Sequence, residues 1–361
     1  MHRFLVFLLL FFFSFCEAQK LNRFELGLVA PKISNCTHVK DQYMSSTCWS
    51  FSSTSLLESE LMKMGKGKVD LSEMFIARHS MVRKIERHLK LKGENFFTPG
   101  GQFHDVVWVI KNFGAVPEEA YNGKGRGEQQ HNHAEMDTAL SQVVKYCIAN
   151  GIDELNPLQR KFVDSTLDYY YGKLPVNFFY KGKTYTPKTY LQQFLGMNPN
   201  DYVEITSYTH HPFYTKFVLE DKYNWTNDEY YNVTIADFSS ITDNALANGY
   251  TISWDGDAQD NNFDFNEGLA YLPESITGYQ TYRQQSFENK TTELDHMMHI
   301  VGSTKDKLGK KWYYIKNSWG NNTNPLGGFL FMQEDYFKIR TLAIIVNKRA
   351  IPTAIRKKLG I

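Results

Sequence analysis

Three helical patterns of apolar residues fill the first third of the chain. From Trp49 to about Met64, Phe51, Leu56, Leu57 and Leu61 mark one side of an amphipathic helix that Gly65 and Gly67 stop. Leu71 to Lys92 carries the second, with Ser72 or Asp70 near its N-cap. Gln102 to Phe113 carries the third, closed by Gly114-Ala115-Val116-Pro117. Ahead of these, residues 19–42 read as a lead-in strand and loop. Residues 122–188 begin polar and turn helical, with tyrosine-rich runs at Ser165–Tyr171 and Tyr180–Tyr190 that suit either an accessory surface or a subunit contact. From Tyr202 onward strand-type runs dominate, and Tyr250 to Asp257 reads as a buried strand ending in an acidic turn. A helical block followed by a strand-rich block predicts an α+β fold of two lobes.

Two of the strand runs carry polar chemistry. Leu294 to Ser303 and Lys311 to Gly320 flank a turn containing Asp306, Lys307 and Gly309. Antiparallel pairing centred near residues 306 and 307 sets His296 opposite Asn317, Met298 opposite Ile315 and Ile300 opposite Tyr313. Facing side chains have Cβ atoms about 5 Å apart, so Asn317 is placed to orient the His296 ring. His299 falls on the other face beside Tyr314 and reads as structural. A one-residue slip would exchange the two faces.

Cys48 opens the first helix. Ser45, Ser46 and Thr47 before it are good N-cap types. A helix N-terminus carries about half a positive charge and unpaired N–H groups, which favour thiolate over thiol. The Cys48 amide and the carboxamide of Gln42 are candidate donors to a developing oxyanion. With Cys48 as nucleophile, His296 as general base and Asn317 as its orienter, the four residues form one acyl-transfer constellation. A buried, inert thiol is the ordinary reading of a lone helical cysteine, and only the combination overrides it.

At these residues the chain resembles the papain-like cysteine peptidases, whose glutamine, cysteine, histidine and asparagine occur in the order Gln42, Cys48-Trp49, His296, Asn317-Ser318-Trp319-Gly320. In papain itself the histidine follows the cysteine by only about 130–150 residues. The longer spacing here leaves room for an insertion, placed at about residues 122–245. That spacing, with Gly100-Gly101-Gln102-Phe103 and Gly114-Ala115-Val116-Pro117-Glu118, resembles the bleomycin hydrolase and bacterial aminopeptidase C branch. The resemblance implies a papain-like two-lobed fold, with the cleft between a helical lobe and a β-rich lobe. It implies peptide hydrolysis through a thioester on Cys48 without a cofactor. It also implies a substrate strand lying along Gly100 and Gly101, where no Cβ blocks the approach, with Trp49 and Trp319 as further substrate-binding candidates and Trp319 shielding the His–Asn bond. That branch closes its cleft with a C-terminal arm. Here the chain stops at Leu359-Gly360-Ile361, so endopeptidase or oligopeptidase action stands beside aminopeptidase action. Another Cys–His acyl transfer, and a non-catalytic binding protein on the same scaffold, are the remaining alternatives.

Composition adds bounds. Residues 1–18 read as a secretory signal peptide: His2 and Arg3, an apolar run from Phe4 to Phe15 broken only by Ser14, and Cys16-Glu17-Ala18 before Gln19. The run is short of the about 20 residues a spanning helix needs. The expected location is secreted or periplasmic. A lipoprotein signal with Cys16 lipidated is the rival, which Phe15 fits poorly. The formal net charge of +1 gives no reason to expect nucleic acid or a charged membrane surface as partner. Peptides are the expected partners, and a homo-oligomer is left open. Cys36 and Cys147 either pair in one disulfide or stay as buried thiols. His131-Asn132-His133-Ala134-Glu135 lacks the HExxH pattern and reads as a solvated helix start, so no metal is expected. Asn224, Asn232 and Asn289 open glycosylation sequons. Asp255 and Asp257 are candidates to hold a substrate amine or a cation.

Overall fold

The computed structural model of the chain describes residues 21–33 and 35–361, so the expected signal peptide lies outside the described residues. Among the described residues the lead-in forms no strand. It holds the short helix α1 (Arg23–Leu26) and extended chain, tied on by an isolated bridge between Asp41 and Trp319.

Helices α2 (Cys48–Lys63), α3 (Glu73–Lys90) and α4 (Phe103–Phe113) follow the sequence pattern closely. Ser72 Oγ accepts from the Phe75 amide at 3.1 Å to start α3, and Gln102 with Asp105 forms a reciprocal capping box on α4. The expected one-sidedness of α2 is corrected, because every residue from Trp49 to Leu61 is buried. Its polar side faces protein and is satisfied there. Ser52 Oγ meets Ser253 Oγ at 2.6 Å and the Met298 carbonyl at 2.7 Å. Glu58 accepts from Thr37 Oγ1 at 2.6 Å and from the Leu71 amide at 2.8 Å. Lys40 pairs with Glu73 at 2.7 Å and with Asp70. Such groups stay buried only when so partnered.

Helices α5 (Ala134–Ala149) and α6 (Pro157–Tyr171) lean on α3. The hairpin β1 (Phe178–Tyr180) and β2 (Lys183–Tyr185) leads to the single turn α7 (Pro187–Thr189) and a π-helical turn at Tyr190–Leu195. The second tyrosine run is core rather than surface: Tyr180, Tyr185 and Tyr190 are buried, and Tyr190 stacks on Phe194 at 5.2 Å. His131 and His133 are likewise buried, not solvated. They lie against Phe51 and Tyr171 with centroids at 6.2 and 4.7 Å, and burial pushes them down to about 3 and about 4.

The second lobe is one ten-stranded mixed sheet in the order β4-β5-β3-β12-β6-β9-β10-β11-β8-β7. Its strands are β3 (Tyr202–Thr206), β4 (Lys216–Val218), β5 (Glu229–Asn232), β6 (Ile252–Gly256), β7 (Phe263–Asp264), β8 (Leu269–Ala270), β9 (His296–Lys305), β10 (Lys311–Lys316), β11 (Phe329–Gln333) and β12 (Thr341–Asn347). Helices α8 (Ile235–Ala247), α9 (Tyr279–Glu288), α10 (Glu334–Arg340) and α11 (Thr353–Leu359) complete it. Cys36 and Cys147 are free thiols in separate clusters. Asn224 and Asn232 are buried with their amides donating to backbone carbonyls, whereas Asn289 is exposed.

The hairpin is real but differs in register. Its turn centres on Leu308, where Asp306 Oδ1 accepts from the Leu308 and Lys310 amides at 2.9 Å each and Gly309 takes φ +80°. Lys305 pairs with Lys311, and a bulge near Tyr314 leaves Ile300 opposite Ile315 and His299 opposite Lys316. His296 therefore faces Gly256 of β6, not Asn317. Past the bulge the slide from the expected pairing is an even number of residues, so the face assignments survive. Met298, Ile300, Tyr313 and Ile315 share the β-lobe core, while His299 turns to α2 and its Nδ1 hydrogen-bonds with Ser55 Oγ at 2.8 Å.

Candidate active site

Cys48 begins α2 and His296 begins β9, and these two elements pack on each other. Both residues thus meet at one end, in a cleft of about 400 Å³ that also exposes Gln42, Ser46, Thr98, Gly100, Gly101, Asp295, Met297 and Trp319. Asn317 lies just past β10 and reaches His296 across the strand end: Oδ1 accepts from Nε2 at 2.7 Å. The same Oδ1 accepts from the Ser318 amide at 2.8 Å. A backbone N–H can only donate, so the oxygen end of the carboxamide is fixed there. Nε2 must then carry the proton, and Nδ1 keeps its lone pair for the cleft. The Trp319 ring stacks on His296 at 4.8 Å between centroids and covers this bond.

Gln42 is held in a matching way. Its Oε1 accepts from Ser318 Oγ at 2.6 Å and its amide donates to the Ser318 carbonyl at 2.8 Å, which frees its NH2 group for the cleft. Between Gln42 and Cys48 the backbone takes left-handed angles at Tyr43 (φ 45°) and Ser46 (φ 55°), uncommon for residues with a Cβ. The Cys48 amide, at the first turn of α2, makes no backbone hydrogen bond among the described residues. Burial pushes the Cys48 thiol up to about 12, opposed by the Met297 and Trp49 amides and aided by the Asp255 and Asp295 charges. Burial pushes His296 down to about 4. Burial thus disfavours the charged form of each, and Asn317 sets which ring nitrogen accepts the proton.

Known proteins resemble this chain. Residues 164–360 match the peptidase C1-like family, and residues 29–156 match the papain family of cysteine proteases. The chain belongs to the peptidase C1-like family. This papain-like chain is 21% identical to Aminopeptidase E of Lactobacillus helveticus, over 90% of its length and 84% of that protein. It is also 21% identical to Aminopeptidase C of Lactococcus lactis subsp. cremoris, over 92% and 84%. The crystal structure of PepW from Lactobacillus rhamnosis superposes with a TM-score of 0.70 at 17% identity, covering 92% of this chain and 85% of that one, which shows the shared fold.

The cleft wall of this C1-like chain runs through Gly100 and Gly101. A Cβ on Gly101 would sit 2.9 Å from Asp105 Oδ2 and 3.0 Å from the Trp49 ring, and one on Gly100 would sit 2.5 Å from the Tyr223 ring. The N–H and C=O of Gly101 make no hydrogen bond among the described residues, so they present a free strand edge. Trp49 is not a cleft residue as expected: it is buried beneath this wall, donating from Nε1 to the Pro99 carbonyl at 3.1 Å. Neither Asp255 nor Asp257 lines the cleft. Asp257 caps a turn by accepting from the Gln259, Asp260 and Glu293 amides; Asp255 is 1% exposed beneath the sheet surface. The acidic residue that does line the cleft is Asp295, which sequence reasoning passed over although it adjoins His296; its carboxylate accepts from the Ala258 and Gln259 amides at 2.9 and 3.1 Å. Tyr223 was also missed, and no local pattern marks it. His210, His211 and Glu220 converge as a metal site would. Gln284 Oε1 accepts from the Thr209 amide, so its NH2 donates to His210 Nδ1 and the His210 Nε2 proton goes to Glu220 at 3.0 Å. That tautomer makes the trio a hydrogen-bonded cluster.

Proposed function

We propose that this papain-like cysteine peptidase hydrolyses peptide bonds through a thioester on Cys48. Asn317 Oδ1, fixed by the Ser318 amide and taking the Nε2 proton of His296, is the observation that carries the reading, because it leaves a neutral imidazole with Nδ1 free to act as base. In the first half-reaction Cys48 Sγ bonds to the carbonyl carbon and its proton passes to His296. The oxyanion receives hydrogen bonds from the Cys48 amide and the Gln42 NH2 group. The C–N bond then breaks, and His296 returns the proton to the leaving amine. In the second half-reaction water, deprotonated by His296, attacks the thioester and releases the acid and the thiol.

The free edge of Gly101 supports peptide binding as an added strand. The names of the relatives favour action on free N-termini. Ile355 and Leu359 of α11 pack into the β-lobe core and no residue of 353–361 lines the cleft among the described residues, so this segment offers no group to hold a substrate's free N-terminus. Export through residues 1–18 is part of the same proposal. The test is hydrolysis of matched fluorogenic peptides with free and acetylated N-termini under reducing conditions. Loss of all turnover in Cys48→Ala, with covalent labelling of Cys48 by a peptidyl electrophile, is expected. Turnover retained in Cys48→Ala would refute the mechanism. Cleavage of the acetylated peptide would assign an endopeptidase, and refusal of it an aminopeptidase.

A further inference from the structure

Lys84 stands in the middle of α3, 4% exposed, and its ammonium group lies directly behind the cleft wall. It donates to the carbonyls of Thr98 at 3.2 Å and Pro99 at 3.1 Å, and to that of Gly100. The ring of Trp49 lies 5.3 Å from Nζ and that of Trp225 5.6 Å, so the remaining sides are aromatic. Three consecutive carbonyls turned towards one cation is an uncommon backbone arrangement, and it leaves the next residue, Gly101, with its own N–H and C=O unused at the cleft. An apolar side chain at position 84 would take the Lys84 donor from the Thr98 and Gly100 carbonyls, leaving Pro99 with Trp49 Nε1 alone, and remove the reason for the loop's shape.

We propose that Lys84 is a positioning residue of the peptide-binding wall: by gathering the Thr98, Pro99 and Gly100 carbonyls it holds the Gly101 edge at the distance from Cys48 that a bound peptide needs. The inference rests on the peptidase reading above. It carries a pH signature, because a neutral amine has two N–H donors for three carbonyls. Burial lowers Lys84 to about 8, while the charges of Asp105 on α4 and Asp137 on α5, and a thiolate on Cys48 where one forms, act to raise it. Burial also lifts Asp137 to about 7, so it is charged through most of the range in which Lys84 titrates.

The experiment compares alkylation of Cys48 by iodoacetamide, which needs no wall, with alkylation by a peptidyl chloromethyl ketone, which does. It uses the full chain, Lys84→Met and Lys84→Arg, from neutral to alkaline pH. The unsubstituted protein should prefer the peptidyl reagent, and that preference should fall as pH rises through about 8. Lys84→Met should lower the preference about ten- to hundred-fold while its iodoacetamide rate holds, and Lys84→Arg, charged throughout, should lack the alkaline fall. A preference kept within about twofold in Lys84→Met would overturn the proposal. Should Lys84→Met not fold, the unsubstituted protein decides with Asp137→Asn as partner: removing that carboxylate should move the alkaline fall to lower pH, and an unmoved fall would overturn the proposal. No preference in the unsubstituted protein would instead refute the peptidase reading itself.

Discussion

Asn317→Ala separates orientation from proton transfer. The side chain gives Oδ1 to two donors, His296 Nε2 at 2.7 Å and the Ser318 amide at 2.8 Å, and touches no substrate position directly. Losing the bond to the ring removes about 1 kcal/mol of ordering, a factor of about five. It also lets the proton move to Nδ1, the nitrogen that must be bare, for a further factor of about two. The plane of the ring should persist, because Trp319 still stacks on it at 28°. The expected result is a fall in kcat of about ten-fold, with KM nearly constant. His296→Ala, which removes the base, should cost about 10²–10⁴. Steady-state hydrolysis of one fluorogenic peptide, paired with the iodoacetamide rate at Cys48, reads both. A kcat within about twofold of the parent would refute the orienting role, and a fall as deep as that of His296→Ala would refute the claim that Trp319 holds the ring without Asn317.

Other consequences are open to measurement. Gln42→Ala should lower kcat by about 10²–10³ through the lost oxyanion donor, and Ser318→Ala, which only releases Gln42 Oε1, should fall well short of that in the same assay. Because burial holds His296 down to about 4, its ring is neutral and available above that pH and becomes charged as pH falls through it; the acid limb of kcat/KM should lie near 4 rather than near the usual histidine value, and a limb near 6.5 would contradict this. Arg283 is 1% exposed and donates to the carbonyls of Ser207, Lys338 and Leu342 at 2.8, 2.9 and 3.0 Å. Arg283 makes no ion pair among the described residues, and Arg283→Met removes three hydrogen bonds while Thr206 and Gln280 still donate to Leu342 and Ser207, so it should cost about 2 kcal/mol in a urea titration; an unchanged midpoint would contradict that.

How far these features could be read from the chain differs by element. The three helices of the first lobe were legible because caps and apolar spacing are local signals: Ser72, the Gln102–Asp105 box and Gly114 mark their ends. The environment of α2 was not legible. Its serines and glutamates suggest a wet face, yet they are partnered by Ser253, Met298, Lys40 and Leu71, residues distant in sequence. Pattern cannot show which polar group will find a buried partner. The same blindness made His131 and His133 read as solvated and the Tyr180–Tyr190 run as surface. The hairpin register failed for a narrower reason, since the turn organised by the Asp306 carboxylate centres on Leu308 rather than near residues 306 and 307, and a bulge follows.

The His–Asn contact nevertheless formed, and the reason bears on how the site is held. Asn317 does not depend on the pairing of β9 with β10; its amide donates to the Gly328 carbonyl at 3.0 Å and its side chain is fixed by the Ser318 amide, while Ser318 in turn holds Gln42 through its carbonyl and hydroxyl. One dipeptide thus links the proton acceptor of the site to its candidate oxyanion donor. The position of Cys48 relative to both is set by Ser52 and Ser55, which bond α2 to β6, to β9 and to the His299 ring. Apolar packing tolerates sliding of a helix along a strand, whereas these bonds have directions and lengths that do not. A polar helix–sheet interface costs desolvation that an apolar one would not. What it secures is the spacing between a thiol at one helix start and an imidazole at one strand start, and that spacing is what acyl transfer requires.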